Sequence, residues 1–365
     1  MKIKEIIQTL ESIAPLNYQE SYDNSGLLVG SSEWECTGVL CTLDTLETVV
    51  EEALAKNCNL IVAHHPIIFS AIKKLNGENY VERTVIAAIK NNIAIYAIHT
   101  NLDNVYMGVN KKIADLLGLT NQKILAPKTN SLSKLITFVP PNELEKVRNA
   151  LFTAGAGNIG NYTQCSYSSP GTGTFKAKEG AHPVVGNIGE RVDAEELKIE
   201  FIFPNHLQPS LTTALQRAHP YEEVAYDIIP LSNIYQDIGS GIIGDLAAEA
   251  DESAFLATLK SIFKTPCIKH TALLGQKLKR IAVCGGAGSF LTKSAIAAKA
   301  QIFITSDIKY HEFFDADNQL VLADIGHWES EQYTIDLIFD ILVTKFTTFA
   351  ILKSALGTNP VQYYL

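Results

Sequence analysis

Four apolar residues, Leu60-Ile61-Val62-Ala63, run directly into His64, His65 and Pro66. An unbroken apolar run this short reads as a strand buried on both faces, as in a parallel sheet covered by helices. The two histidines then stand just past its carboxyl end, where open α/β sheets place their ligands. Neighbouring residues of an extended chain point to opposite sides. His64 and His65 are therefore poorly placed to serve one tetrahedral ion, but each can reach a different ion of a close pair. Pro66 holds His65 in extended geometry and removes a backbone donor. The plain alternative is two polar strand-end residues without chemistry, and it stands or falls on what other strand ends carry.

The surrounding pattern repeats the strand. An amphipathic helix opens the chain, and Leu27-Leu28-Val29 follows the turn signal Asp23-Asn24-Ser25-Gly26. A strand over 38–43 leads through Asp44 or Thr45, either one a candidate N-cap, into a helix over 46–56. A helix over 81–91 and a strand over 93–98 complete a β-α-β-α-β series, the mark of a parallel or mixed sheet with helices on its faces. Farther on, strands over 280–284, 301–305 and 318–323 alternate with helices, one running from about 327 to 342. The starts at Val39 and Leu60 are 21 residues apart, as are those at Ile281 and Ile302. This spacing reads as an internal repeat of two similar α/β halves facing one another.

Between the halves the pattern changes. Residues 126–133 read as a linker. A strand over 134–139 and a helix over 142–154 follow, with Asn142 and Glu145 at capping-box spacing. Two Gly-flanked strands near 161–167 and 172–178, a Gly-rich loop over 179–192, a strand over 197–203, a helix over 206–218 and a strand over 223–229 complete the segment. It reads as a ferredoxin-like βαββαβ insert. The expected fold is thus α/β, with an N-terminal half (1–127), an inserted domain (128–232) and a C-terminal half (233–365) forming one metal-binding unit with the first.

Three strand ends in the two halves carry candidate ligands. Besides His64 and His65 there are His99 with Asp103, and His327 with Glu331. The last two are i and i+4 and share one helix face, a spacing that presents two ligands in zinc helices. Glu329 points elsewhere and suits a helix N-terminus. Three histidines and two carboxylates are too many for one closed tetrahedral site. They suit two ions about 3.5–4 Å apart with a bridging group, for which Glu331 is the choice. His99 is either a sixth ligand or a cap on nearby backbone. Asp307 and His311 are candidates for supporting the ligands from outside, for substrate contact or for catalysis, with a helix cap and a surface histidine as the alternative. Gly285-Gly286-Ala287-Gly288 reads as a tight βα turn in preference to a phosphate cradle, because the dinucleotide fingerprint is incomplete.

Five stretches in order resemble the NIF-three-like family, whose members are often labelled GTP cyclohydrolase 1 type 2 homologues. They are Asp23–Gly30, Ala63–Pro66, His99–Asp103, Thr305–His311 and Asp324–Glu331, and Thr358–Tyr364 resembles the family's end. The stretch His219–Asp227 resembles the PII/CutA-like domain of longer bacterial members. Tyr22 stands where Trp is more usual, and residues 239–244 lack an Arg often seen there. The resemblance implies a dinuclear centre held by His64, His65, Asp103, His327 and Glu331, the five that spacing selects. It also implies a toroidal homohexamer and, by label, opening of a GTP ring.

The expected function is a metal-dependent hydrolase acting on a nucleotide or phosphoester, with two divalent ions (Zn, Fe or Mn) per subunit. The alternative is a non-enzymatic metal-binding regulator or adaptor. A net charge of −9 without a basic run disfavours nucleic acid as a partner. No apolar stretch reaches membrane-span length, the start does not read as a signal peptide, and the 6 cysteines show no metal-type spacing. A cytoplasmic protein with reduced core thiols is expected.

Overall fold

The computed structural model describes residues 1–364. Two compact units emerge: Met1–Pro127 together with the chain from Asp237 on, and Lys128–Gln236. In chain order the elements are α1 (Ile3–Ile13), β1 (Gly26–Val29), β2 (Val39–Thr42), α2 (Glu47–Ala55), β3 (Leu60–Ala63), α3 (Tyr80–Lys90), β4 (Ala94–Ala97), α4 (Thr100–Asp103), α5 (Val109–Leu116) and β5 (Thr120–Lys128). The second unit contributes β6 (Leu132–Val139), α6 (Leu144–Thr153), β7 (Tyr167–Lys176), β8 (Arg191–Pro204), α7 (Gln208–Ala218) and β9 (Tyr226–Leu231). The chain then returns through β10 (Tyr235–Asp251), α8 (Glu252–Phe263), β11 (Lys269–His270), β12 (Lys277–Ala287), α9 (Thr292–Ala297), β13 (Ile302–Ser306), β14 (Val321–Asp324), α10 (His327–Glu331), α11 (Thr334–Lys345) and β15 (Ile351–Lys353).

The first unit holds a five-stranded sheet, β1-β4-β3-β2-β15, and a six-stranded sheet, β11-β14-β13-β12-β10-β5. In the first, β2, β3 and β4 run parallel, and Val39 registers with Leu60. In the second, β12, β13 and β14 run parallel, and Ile281 registers with Ile302. The 21-residue spacing is therefore the length of one strand-helix-strand return in each half. Every residue of β2, β3, β4, β13 and β14 is buried. Val49, Val50 and Ala53 of α2 and Val85 and Ala88 of α3 cover Leu40, Ile61 and Ile95 of the first sheet.

Neither half keeps to itself. β15 pairs in parallel with β2, and β5 joins the second sheet beside β10. That corrects the linker expected over 126–133, since β5 continues to Lys128. Pro127 fits there because β5 is an edge strand, where a missing N–H breaks no ladder.

The second unit has the element order β-α-β-β-α-β and an antiparallel sheet in the order β7-β8-β6-β9. α6 and α7 pack Val147, Leu151, Leu211 and Leu215 against Leu135, Ile199, Phe201 and Phe203. One strand, β7, replaces the two expected near 161–167 and 172–178, and β8 starts at Arg191. Charged residues at its start hide the extension, which pairs with β7 along its whole length from Lys176 opposite Arg191 to Tyr167 opposite Glu200. A 3₁₀ turn, Pro141–Glu143, precedes α6, so Asn142 does not cap it. Among the described residues no helix is long and apolar enough to cross a membrane. All the cysteines are free thiols, with Cys36, Cys41, Cys58 and Cys284 buried and Cys267 exposed.

Candidate metal centre

Strand ends of both halves deliver the candidate ligands to one place in the first unit. His64 and His65 follow β3, and Asp103 ends α4, the single turn that follows β4. α10 carries His327 in its first position and Glu331 in its last, directly after β14. Gly326 turns the chain into α10 with a φ of +93°, a conformation open to glycine and strained for other residues.

The donor atoms form three overlapping triads, two that share Glu331 and a third of His64, His65 and His99. The Nε2 atoms of His65 and His327 lie 2.9 and 3.0 Å from Glu331 Oε2 and 3.3 Å from each other. His64 Nε2 lies 3.6 Å from Asp103 Oδ1 and 3.8 Å from Glu331 Oε1. Glu331 thus gives one oxygen to each of the two triads that share it. Ligand atoms about 2.1 Å from a tetrahedral ion stand about 3.4 Å apart, so both of these triads have the span of an ion's ligand shell. His64 Nε2 and Asp103 Oδ1 are buried without a hydrogen-bond partner. Native proteins rarely leave such atoms unpaired, and the mixed imidazole and carboxylate donor set suits a divalent transition metal.

Each histidine is fixed through its other nitrogen. His64 Nδ1 donates to the Ile98 carbonyl at 2.8 Å. His65 Nδ1 donates to Asp44 Oδ1 at 2.7 Å, and His327 Nδ1 to Asp307 Oδ2 at 2.6 Å. Ligating histidines are oriented in this way by outer carboxylates and carbonyls. His99 Nδ1 donates to Asp23 Oδ1 at 2.7 Å, and its ring centre stands 5.3 Å from that of His64 and 5.4 Å from that of His65. His99 therefore belongs to the cluster, as the third member of the group it forms with His64 and His65.

The donor groups act strongly on one another's protonation. Burial lowers the His65 pKa, but the hydrogen bonds and charges of Asp44 and Glu331 outweigh it and raise it to about 10. Burial likewise opposes, and Glu331 and Asp307 outweigh it, in raising His327 to about 11. Burial pushes the Asp103 carboxyl well above its ordinary value, and the Glu331 charge adds to the rise. Glu331 itself, though buried, is held well below its ordinary value by His327, His64 and His65.

Several expectations are corrected here. Asp44 and Thr45 do not cap α2, whose N-cap is Leu46 without a side-chain bond. The Asp44 carboxylate goes instead to His65 and to the Thr358 hydroxyl. Asp307, by contrast, takes the supporting role expected of it and orients His327. His311 is exposed, and its ring contacts are Tyr310 and Phe314, outside the cluster. Glu329 is buried and accepts from Asn359 Nδ2 at 3.0 Å, fastening the C-terminal segment. β12 continues through Ala287, so the glycine run is strand before it is turn. Gly285 N–H donates to Asn110 and Gly286 N–H to Ser330 Oγ, which leaves neither free for phosphate. Gly286 has a φ of +60°, and a Cβ there would stand 2.4 Å from Glu331 Oε1. Its sequence signal was present, but its purpose is clearance for the central carboxylate. Asp23 and Asp44 carried no motif that marked them as orienters.

Beside His65 and His327 opens a cavity of about 370 Å³, bounded also by Asp307, Trp328, Val361 and Tyr363. It is large enough for a small substrate to reach the cluster.

The family described as Duf34/NIF3 (NGG1p interacting factor 3) matches residues 1–360. The "GTP cyclohydrolase 1 type 2 homolog" of Halalkalibacterium halodurans is 39% identical over 324 residues, 88% of this chain and 87% of that one. The protein of the same name from Staphylococcus epidermidis is 34% identical over 367 residues, all of both chains. Among solved structures, a Bacillus cereus protein related to NIF3 superposes with a TM-score of 0.87 at 36% identity, over 100% of this chain and 99% of that one. Staphylococcus aureus protein SA1388 gives 0.78 at 29% identity, with the same coverage.

Proposed function

The chain belongs to the Duf34/NIF3 family, and we propose that it holds two divalent metal ions per subunit and hydrolyses a nucleotide or phosphoester. The observation that carries this reading is the division of Glu331, with Oε2 facing His65 and His327 and Oε1 facing His64 and Asp103. His64, His65, Asp103, His327 and Glu331 are the proposed ligands, with Glu331 as the bridge. Bound there, Zn, Fe or Mn would act as paired Lewis acids that activate water and neutralise negative charge on the substrate.

The chain's own groups prepare the site. Asp44 and Asp307 keep protons on the Nδ1 atoms of His65 and His327, which leaves the Nε2 lone pairs for the ions. Asp23 does the same for His99. His64 is fully buried and Glu331 nearly so, which keeps their imidazole and carboxylate fixed in place. The cavity beside His65 and His327 admits the substrate. GTP is the first substrate to try, because the relatives' name suggests it. A toroidal homohexamer in the cytoplasm belongs to the same reading and rests on family resemblance. Light scattering on the purified protein checks its size against the 39.9 kDa chain.

The test is to purify the protein without added metal, count ions per chain by mass spectrometry in the wild type and in Glu331→Ala, and assay both on GTP and a phosphoester panel. About two ions per chain, lost in the variant together with turnover, supports the reading. Two ions without turnover on any substrate favours a non-enzymatic metal-binding regulator. No stoichiometric metal after reconstitution sinks the dinuclear centre itself.

A further inference from the structure

The second unit contains a hollow of about 670 Å³ against β7 and β8. Its origin is in the sequence. β7 reads Ser169-Pro170-Gly171-Thr172-Gly173-Thr174-Phe175, and both glycines line the hollow where side chains would otherwise stand. A Cβ on Gly173 would lie 2.1 Å from Glu196 Oε2, so the Glu196 carboxylate occupies the space over that glycine. Phe138, Pro170, Phe175, Pro183 and Val184 supply apolar walls.

Glu196 lines this hollow and is only 9% exposed. Among the described residues it has no ion pair, since Lys198, its neighbour on β8, is engaged with Glu200 at 2.6 Å. His219 cannot supply the charge. Its Nε2 donates to the Phe138 carbonyl at 2.9 Å, and its Nδ1 accepts from the Tyr221 N–H at 3.1 Å, the pattern of a neutral ring. The buried Tyr221 hydroxyl faces the Glu196 carboxylate; burial first, then the hydrogen bond and charge of Glu196, push it up to about 12. At the mouth, exposed Lys176 and Lys178 are matched by exposed Glu222 and Glu223. The interior carboxyl group therefore has the neutral Tyr221 hydroxyl beside it and no protein cation. A buried carboxylate without a cation beside it is costly, and a cation supplied from outside reduces the cost.

We propose that this hollow is a second binding site, for a small organic amine whose ammonium group pairs with Glu196 and Tyr221 while its apolar body lies on Phe138, Phe175 and Val184. The volume falls within the range of small-molecule pockets, about 300–1,000 Å³. A single carboxylate without an imidazole is a poor transition-metal site, which favours an organic cation. The inference is independent of the metal centre and survives if the hydrolase reading fails.

The test uses the full-length protein as purified, with phenethylamine, agmatine and L-leucine as probes and phenylacetate as the anionic control, read by calorimetry and ligand-observed NMR. Saturable binding of at least one amine is expected, with none for phenylacetate. Glu196→Gln keeps the shape and removes the charge, and should weaken the amine by about tenfold or more. Gly171→Val fills the hollow at a position where a Cβ meets nothing within 4 Å, so folding should survive and binding should not. No amine binding to the wild type, or binding unchanged by both variants, overturns the proposal. So does a change of oligomeric mass in Gly171→Val without amine binding to the wild type, which would mean that a second copy fills the hollow.

Discussion

In the first half β2 pairs with β3 in the register Val39 to Leu60, and in the second β12 pairs with β13 in the register Ile281 to Ile302. Laid on one another by that register, His65 falls on Asp307 and Asp44 falls on Gly286. One strand end presents a histidine to the cluster, and its counterpart presents the carboxylate that orients another histidine. One half places an orienting aspartate where the other places bare backbone for Glu331 to lie against. The third strands also differ, since β4 leads to Asp103 and β14 to both His327 and Glu331. Both halves share the frame while the roles are divided, and a proposed donor in one half matches a support in the other.

His65→Ala against Asp307→Asn is the strongest way to break that comparison. The first removes a proposed donor and should cost at least one ion per chain. The second removes only an orienting bond and should weaken metal affinity by about 10–100-fold, with occupancy restored at high metal. Metal titrations that gave equal losses for the two would abolish the distinction between donor and support.

Next in size is Gly286→Ala. It sets a Cβ in a left-handed conformation 2.4 Å from Glu331 Oε1. A strained backbone residue costs about 1–3 kcal/mol, and the displaced carboxylate should lower metal affinity as well. Asp44→Asn at the matching position should lower affinity with little loss of Tm. A Gly286→Ala protein with wild-type Tm and metal content would refute the clearance role.

The pH dependence sharpens the comparison on the side of His65. In the ion-free protein its pKa is raised from 6.5 to about 10. A group raised on folding stabilises fully below its unfolded value and loses that contribution as pH climbs through the folded one. The Tm of the stripped protein should therefore decline as pH rises from 6.5 toward 10. Metal must displace these protons, so uptake at neutral pH should release protons and tighten as pH rises. Calorimetry in buffers of different ionisation enthalpy reads the release, and its absence would mean that the histidines bind no ion.

The smallest effect is expected for His99→Gln. His99 adjoins the cluster, but the two triads that share Glu331 are complete without it. Metal stoichiometry should hold while substrate affinity or turnover changes. Loss of an ion would make His99 a sixth ligand.

Which residues meet was largely legible in the chain. A short apolar strand ending in paired histidines, a second strand ending near His99 and Asp103, and His327 and Glu331 four apart on one helix are local features. Covalent neighbours and helical spacing fix them before any distant contact forms. The 21-residue repeat was readable for the same reason, because a strand, its crossover helix and the next strand are contiguous in sequence.

The rest needed distant chain to come together. Glu331 lies 266 residues from His65, and no local rule says which of its oxygens faces which histidine. Asp44 looked like a helix cap, and became an orienter because packing brought His65 within 2.7 Å of it. Pro127 looked like a linker residue, and entered a strand because the second sheet offered it an edge. Gly286 looked like part of a turn, and its lack of a side chain mattered only once Glu331 arrived beside it. Sequence supplied the donors and the frame that repeats beneath them. Tertiary packing assigned each donor its partner and its free atom, because hydrogen-bond choice and steric clearance depend on distances that no local pattern encodes.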